Sequence, residues 1–157
     1  MNVAIITDQH FGARNDSQAF LDFYEKFYDN TFFPTLEENE IKTVLILGDT
    51  FDRRKYVNFY SLGRAKKMFF DKLAEKDIDV LMIAGNHDTY FKNTNDVNSV
   101  DLLLGEYGIT LNVIDHPAEI YVGPHKICMM PWICAENYED SLQTLKDTDA
   151  KFCMGHF

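Results

Sequence analysis

The stretch Val44-Leu-Ile-Leu-Gly-Asp-Thr-Phe-Asp52 joins four consecutive aliphatic residues to a glycine and two carboxylates. A short, unbroken aliphatic run suits a strand covered on both faces, which is the habit of parallel sheets. The same design recurs on either side: Val3-Ala-Ile-Ile-Thr7 runs into Asp8-Gln-His10, and Val80-Leu-Met-Ile-Ala84 runs into Gly85-Asn-His-Asp88. All three read as short, fully buried strands. Between the first two, the pattern predicts a helix over 16–33, with Asn15, Asp16 and Ser17 as N-cap candidates. Its Phe20, Phe23 and Phe27 share one face, which is expected to point inward as core or subunit contact. Pro34 should kink or restart that helix. Leu62, Ala65, Phe69 and Leu73 mark a second amphipathic helix. The order β-α-β-α-β implies right-handed crossovers and a parallel sheet.

Beyond Asn86 the pattern changes. Residues 88–98 are polar and aromatic and read as a loop, followed by a short helix over 99–104. Strands are expected over 110–114, 119–122 and 126–130, the latter two joined by a Gly123-Pro124 turn. Residues 135–146 look helical and 151–155 form a last strand. A length of 157 residues fits one α/β domain. The chain stops at Gly155-His156-Phe157, at the tip of an apparent core strand, so the expectation is the N-terminal part of a single longer domain.

Composition narrows the function classes. Apolar residues make up 46% and aromatics 14%, enough for a substantial core. No apolar run approaches the ~18 residues of a membrane span, and residues 1–8 lack the basic start of a signal peptide. A soluble, cytoplasmic protein with no membrane partner is expected. The net charge of −10 is the wrong sign for broad electrostatic capture of nucleic acid, so a polyanionic substrate has to be attracted locally. Cys128, Cys134 and Cys153 show no paired spacing and read as buried, reduced thiols.

Each early strand delivers ligand types for a divalent metal at its C-terminal end, and in an open parallel sheet those ends share one edge. Singly, Asp-x-His and Gly-Asp are ordinary turn signals. Three such corners in succession, each at a strand end, favour a metal site. Carboxylate, imidazole and amide donors suit Mn²⁺, Fe²⁺ or Zn²⁺. Asp49, on the middle corner, is the natural bridge, with Asp8 and His10 on one ion and Asn86 on the other. Two ions ~3.5–4 Å apart would clamp a phosphodiester and lower the pKa of a bound water. They would also supply the missing positive charge. His87, next to a ligand, is left to protonate the leaving oxygen, with Asp88 placed to orient its imidazole. Gly12, Gly48 and Gly85 suit tight turns around such a site.

With these corners, the sequence resembles the calcineurin-like metallophosphoesterase superfamily, whose motifs run Asp-x-His, Gly-Asp-x-x-Asp, Gly-Asn-His-Asp/Glu, a lone His and Gly-His-x-His. The first three are intact. Asp8-Gln-His-Phe-Gly12, Gly48-Asp-Thr-Phe-Asp-Arg-Arg54 and Gly85-Asn-His-Asp88 resemble most the nuclease subunits of double-strand-break repair complexes, in their phage form the recombination endonuclease subunit. The resemblance implies a layered α/β/β/α fold, with a mostly parallel central sheet, a second mixed sheet and a truncated C-terminal end. It implies two divalent ions, Mn²⁺ first and Mg²⁺, Fe²⁺ or Zn²⁺ as alternatives, on Asp8, His10, Asp49 and Asn86, with His156 as a ligand of the ion that Asn86 binds. It implies DNA as substrate in recombination and repair, an SMC-type ATPase partner, and a homodimer of the full-length protein. The Gly-His-x-His motif, the DNA-capping region and the ATPase-docking tail are absent from this sequence, so weak metal occupancy and little activity are expected.

Arg53 and Arg54, with Lys55, are candidate phosphate contacts, though a short charge run is usually a solvated face. Asp52 reads as a turn cap or a holder of Arg53, and Trp132 as packing. Two other functions compete: the same chemistry on a phosphoprotein or small nucleotide, and a non-catalytic α/β module that docks an ATPase. The intact Asp8, His10, Asp49, Asn86 and His87 argue against the second.

Overall fold

The computed structural model describes residues 2–157. A parallel sheet runs in chain order β1 (Ala4–Ile6), β2 (Thr43–Leu47), β3 (Asp79–Ile83) and β4 (Leu111–Ile114). A second sheet holds β5 (Ala118–Val122) antiparallel to β6 (His125–Met130), which in turn lies parallel to β7 (Phe152–Gly155). This is the expected parallel sheet with a mixed partner. The parallel pairing of β6 and β7 needs a crossover, which α7 (Tyr138–Asp147) provides.

Strand alternation sorts the core into two layers. Val44, Ile46, Val80 and Met82 join the aromatic cluster under the helices, whereas Leu45 and Ile83 join Val122, Ile127 and Met129 between the sheets. Cys128 and Met130, on the opposite face of β6, are buried too, so that strand is covered on both sides. The expectation of three fully buried strands holds for β2 but not for β1, whose Ile5 is 52% exposed. β1 is an edge strand, so Ile5 has a neighbouring strand, β2, on one side alone. Cys153 is likewise exposed, on β7, while Cys128 and Cys134 are buried as expected.

The first helical segment departs most from its reading. After the kinked turn α1 (Ala13–Asp16), α2 (Gln18–Phe27) passes through a π-turn, Tyr28–Phe32, into α3 (Phe33–Glu38). Phe20, Phe23 and Phe27 are exposed, Phe23 by 68%. The inward face is the competing stripe of Leu21, Tyr24 and Tyr28, offset by one residue, which packs on Phe11 and Phe69. The α-helix restarts at Pro34 as expected, after the π-turn. Pro34 sits in the first turn of α3, where the N–H that proline lacks is spared by the wider preceding turn. A matching π-turn, Lys66–Phe70, joins α4 (Phe59–Ala65) to α5 (Asp71–Glu75) and buries Met68, Phe69 and Phe70 together, which a regular helix does not do with three consecutive side chains. The short helix α6 (Ser99–Leu104) leads through a 3-10 turn to β4.

Candidate metal centre

The site forms where the C-terminal ends of β1, β2 and β3 meet the end of β7. The first two corners are zipped together past their strands: Asp8 N–H donates to Gly48 O at 3.1 Å, His10 N–H to Asp49 O at 2.9 Å and Phe11 N–H to Thr50 O at 2.8 Å. Asp8, His10 and Asp49 all hold positive φ, at 53°, 45° and 53°. Non-glycine residues keep that conformation only where surrounding contacts over-determine it. Gly85 is required where the third corner crosses the second, since a Cβ there would lie 2.3 Å from Asp49 N. The fourth corner arrives from the second sheet, with His156 N–H on Met130 O at 3.0 Å and Trp132 N–H on Ala84 O at 2.9 Å.

Asp49 lies at the centre and is 4% exposed. One of its oxygens accepts the His87 backbone N–H at 2.8 Å and lies 3.4 Å from His156 Nε2, while the other is 3.6 Å from His10 Nε2. Asp49 therefore belongs to two sets of donors whose atoms lie within 4.8 Å of one another, His10–Asp49–His87 and Asp8–Asp49–His156. Asp8 groups with His156, yet its carboxylate is also 3.7 Å from His10 Nε2. His156 reaches across the sheets, with Nε2 2.9 Å from Asn86 Oδ1 and Nδ1 3.0 Å from Leu47 O. The structure thus brings Asp8, His10, Asp49, Asn86, His87 and His156 into one cluster.

The charges match the geometry. Burial alone would raise the Asp49 carboxyl, but the His156 bond and the His87 N–H hold it below the usual range. The Asp49 contact outweighs desolvation at His156 and raises that imidazole to about 9. His10 Nδ1 is buried without a hydrogen-bond partner. A buried and an exposed carboxylate, Asp49 and Asp8, with an orphaned imidazole nitrogen and no thiolate, form a donor set that fits hard or borderline divalent ions.

Two expectations need correction. Asp88 does not orient the His87 ring. Its fully buried carboxylate accepts the N–H groups of Thr50, Phe51 and Gly85 at 3.0, 3.1 and 2.9 Å and so ties the third corner to the second. The His87 ring rests instead against the carbonyl of Asp52, 2.5 Å from Nδ1. Asp52 does not hold Arg53 either: its carboxylate is 3.8 Å from His10 Nδ1, while Arg53 pairs with Asp16 at 2.7 Å. With Asn15 Oδ1 at 3.0 Å as well, both terminal nitrogens of Arg53 are already engaged. Arg54 lies over the Trp132 ring at 4.7 Å and donates to Thr89 Oγ1 at 3.2 Å, which gives Trp132 more than a packing role. Sequence reasoning undervalued Asp52, for which the signal was its place three residues beyond Asp49, as the last position of Gly-Asp-x-x-Asp.

Comparison with known proteins bears on the family and the fold. The chain is 32% identical over 121 residues to exonuclease subunit 1 of Enterobacteria phage T4, across 77% of this chain and 35% of that protein. The crystal structure of Pseudomonas putida nuclease MPE is similar at a TM-score of 0.51 and 20% identity, covering 81% of this chain and 52% of that one, a likeness that bears on the fold. The chain thus spans about a third of the phage protein and about half of the solved nuclease. Among the described residues, no helix is long and apolar enough to cross a membrane. The family model of the calcineurin-like phosphoesterases matches residues 1–157, and the chain belongs to that family.

Proposed function

We propose that the chain carries a two-cation phosphodiesterase site that hydrolyses DNA in recombination and repair. The observation that carries this reading is the shared position of Asp49 between two donor sets. Asp8, 3.7 Å from His10 Nε2 as well as grouped with His156, would hold one divalent ion with His10 and Asp49, and Asn86 and His156, 2.9 Å apart, the other. Mn²⁺ is the first candidate, because the donors are oxygen and imidazole nitrogen. Bound there, such ions supply Lewis acidity and the positive charge that a chain of net charge −10 lacks. Asp52 O fixes Nδ1–H of His87, which leaves Nε2 to give a proton to the leaving oxygen. Asp88 braces the corners that carry these groups. Arg54, backed by Trp132, is better placed than Arg53 to meet a phosphate.

The likeness to a protein named as one subunit of an exonuclease supports DNA as substrate and a partner subunit. In the full-length protein that partner is an SMC-type ATPase, the assembly is a homodimer, and the location is the cytoplasm, the host cell's for a phage-encoded chain. The test is end-labelled linear duplex DNA incubated with the full-length protein and Mn²⁺. Cleavage that EDTA abolishes supports the reading. Hydrolysis of a small phosphodiester with DNA left intact points to another substrate of the same chemistry, and failure to take up Mn²⁺ rejects the site.

A further inference from the structure

Gln9 stands between two candidate ligands, yet its side chain turns away from them into the core, where it is 5% exposed. Its Nε2 donates to the Tyr28 hydroxyl at 2.7 Å, and its Oε1 has no partner. A buried amide with one hydrogen bond depends on that bond for its placement. Tyr28 is itself immobilised. It opens the π-turn Tyr28–Phe32, its carbonyl accepts Phe33 N–H across the widened turn, and its ring packs 4.7 Å from Phe69 on the facing π-turn. The residues on either side of Gln9 hold φ of 53° and 45°, so something must fix the middle of the corner if both are to stay there.

We infer that Tyr28 is a positioning residue for the metal centre: through Gln9 it pins the corner that presents Asp8 and His10. The inference rests on the two-cation reading. The α-helical stripe Leu21, Tyr24 and Tyr28 brings the hydroxyl under the corner at the point where the π-turn begins, and π-turns recur near functional sites.

The experiment compares Tyr28→Phe, which removes only the hydroxyl, with Leu36→Val, which disturbs the same helical layer away from the corner. Mn²⁺ uptake is followed by titration with magnetic-resonance detection of the free ion. Tyr28→Phe is expected to weaken uptake at one of two positions by about tenfold, the scale on which outer partners of ligands act, with Leu36→Val unchanged. In the metal-free protein, amide exchange at His10 and Phe11 should quicken in Tyr28→Phe and not in Leu36→Val. Uptake in Tyr28→Phe equal to wild type overturns the inference. A wild-type chain that takes up no Mn²⁺ overturns the two-cation reading instead. The exchange arm then decides the tether, which unchanged His10 and Phe11 rates would overturn.

Discussion

The Nδ1 atom of His87 lies 2.5 Å from the carbonyl oxygen of Asp52. A carbonyl only accepts, so Nδ1 carries the hydrogen and the proton to be exchanged sits at Nε2. His87→Ala is expected to retain Mn²⁺ uptake and to lower single-turnover DNA hydrolysis by roughly 10²–10⁴-fold. An unchanged rate would remove His87 from the acid role.

Asp49 offers a different signature, because both donor sets include it. Asp49→Ala is expected to abolish Mn²⁺ uptake at both positions, as titration would show, whereas a change confined to one ion would need only one partner. A second readout needs no metal. His156 should lose the carboxylate that raises it to about 9, so its imidazole resonances should titrate nearer the ordinary value of ~6.5.

Asp88 acts on the fold. Asp88→Asn keeps the shape but turns an amide toward backbone N–H donors that now meet a carboxylate. Denaturant unfolding should show a loss of about 1–3 kcal/mol. Because burial pushes the Asp88 carboxyl up to about 6, against the three N–H bonds that lower it, the charged form is already costly to keep. A variant as stable as wild type would show that the brace is dispensable.

Acid stability should depend on Asp16. Burial opposes its charge, but the Ser61 hydroxyl and the Arg53 guanidinium hold its carboxyl below the ordinary range. A carboxyl depressed in the folded state contributes stability above its unfolded pKa and loses it as pH falls through the folded value. Asp16→Asn should therefore unfold more easily than wild type at pH ~6, with the two curves converging as pH falls past the ordinary carboxyl value of 3.8. A constant gap across that range would count against the ion pair.

The corners were legible because each follows an aliphatic run: Asp8, Asp49 and Asn86 could be assigned to one edge from sequence order alone. His156 was reached through resemblance rather than spacing, because the parallel step from β6 to β7 leaves no periodic trace. The pairing of Arg53 with Asp16 spans 37 positions and has no local signature. In α2 the misreading was a competition between two apolar stripes one residue apart. Tyr24 and Tyr28 won over Phe20 and Phe27 although phenylalanine is the more apolar, because the π-turn and Phe69 seat the Tyr28 ring while its hydroxyl meets Gln9. No count of hydrophobicity anticipates a polar atom buried for a purpose.

His156 reaches Leu47 and Asn86 from a strand of the other sheet. Sliding β7 by a single residue against β6 would carry this histidine ~3.3 Å along and turn it to the opposite face. Ligand capture therefore acts as a gauge of assembly, since only molecules whose two layers have docked in the right alignment can complete the cluster.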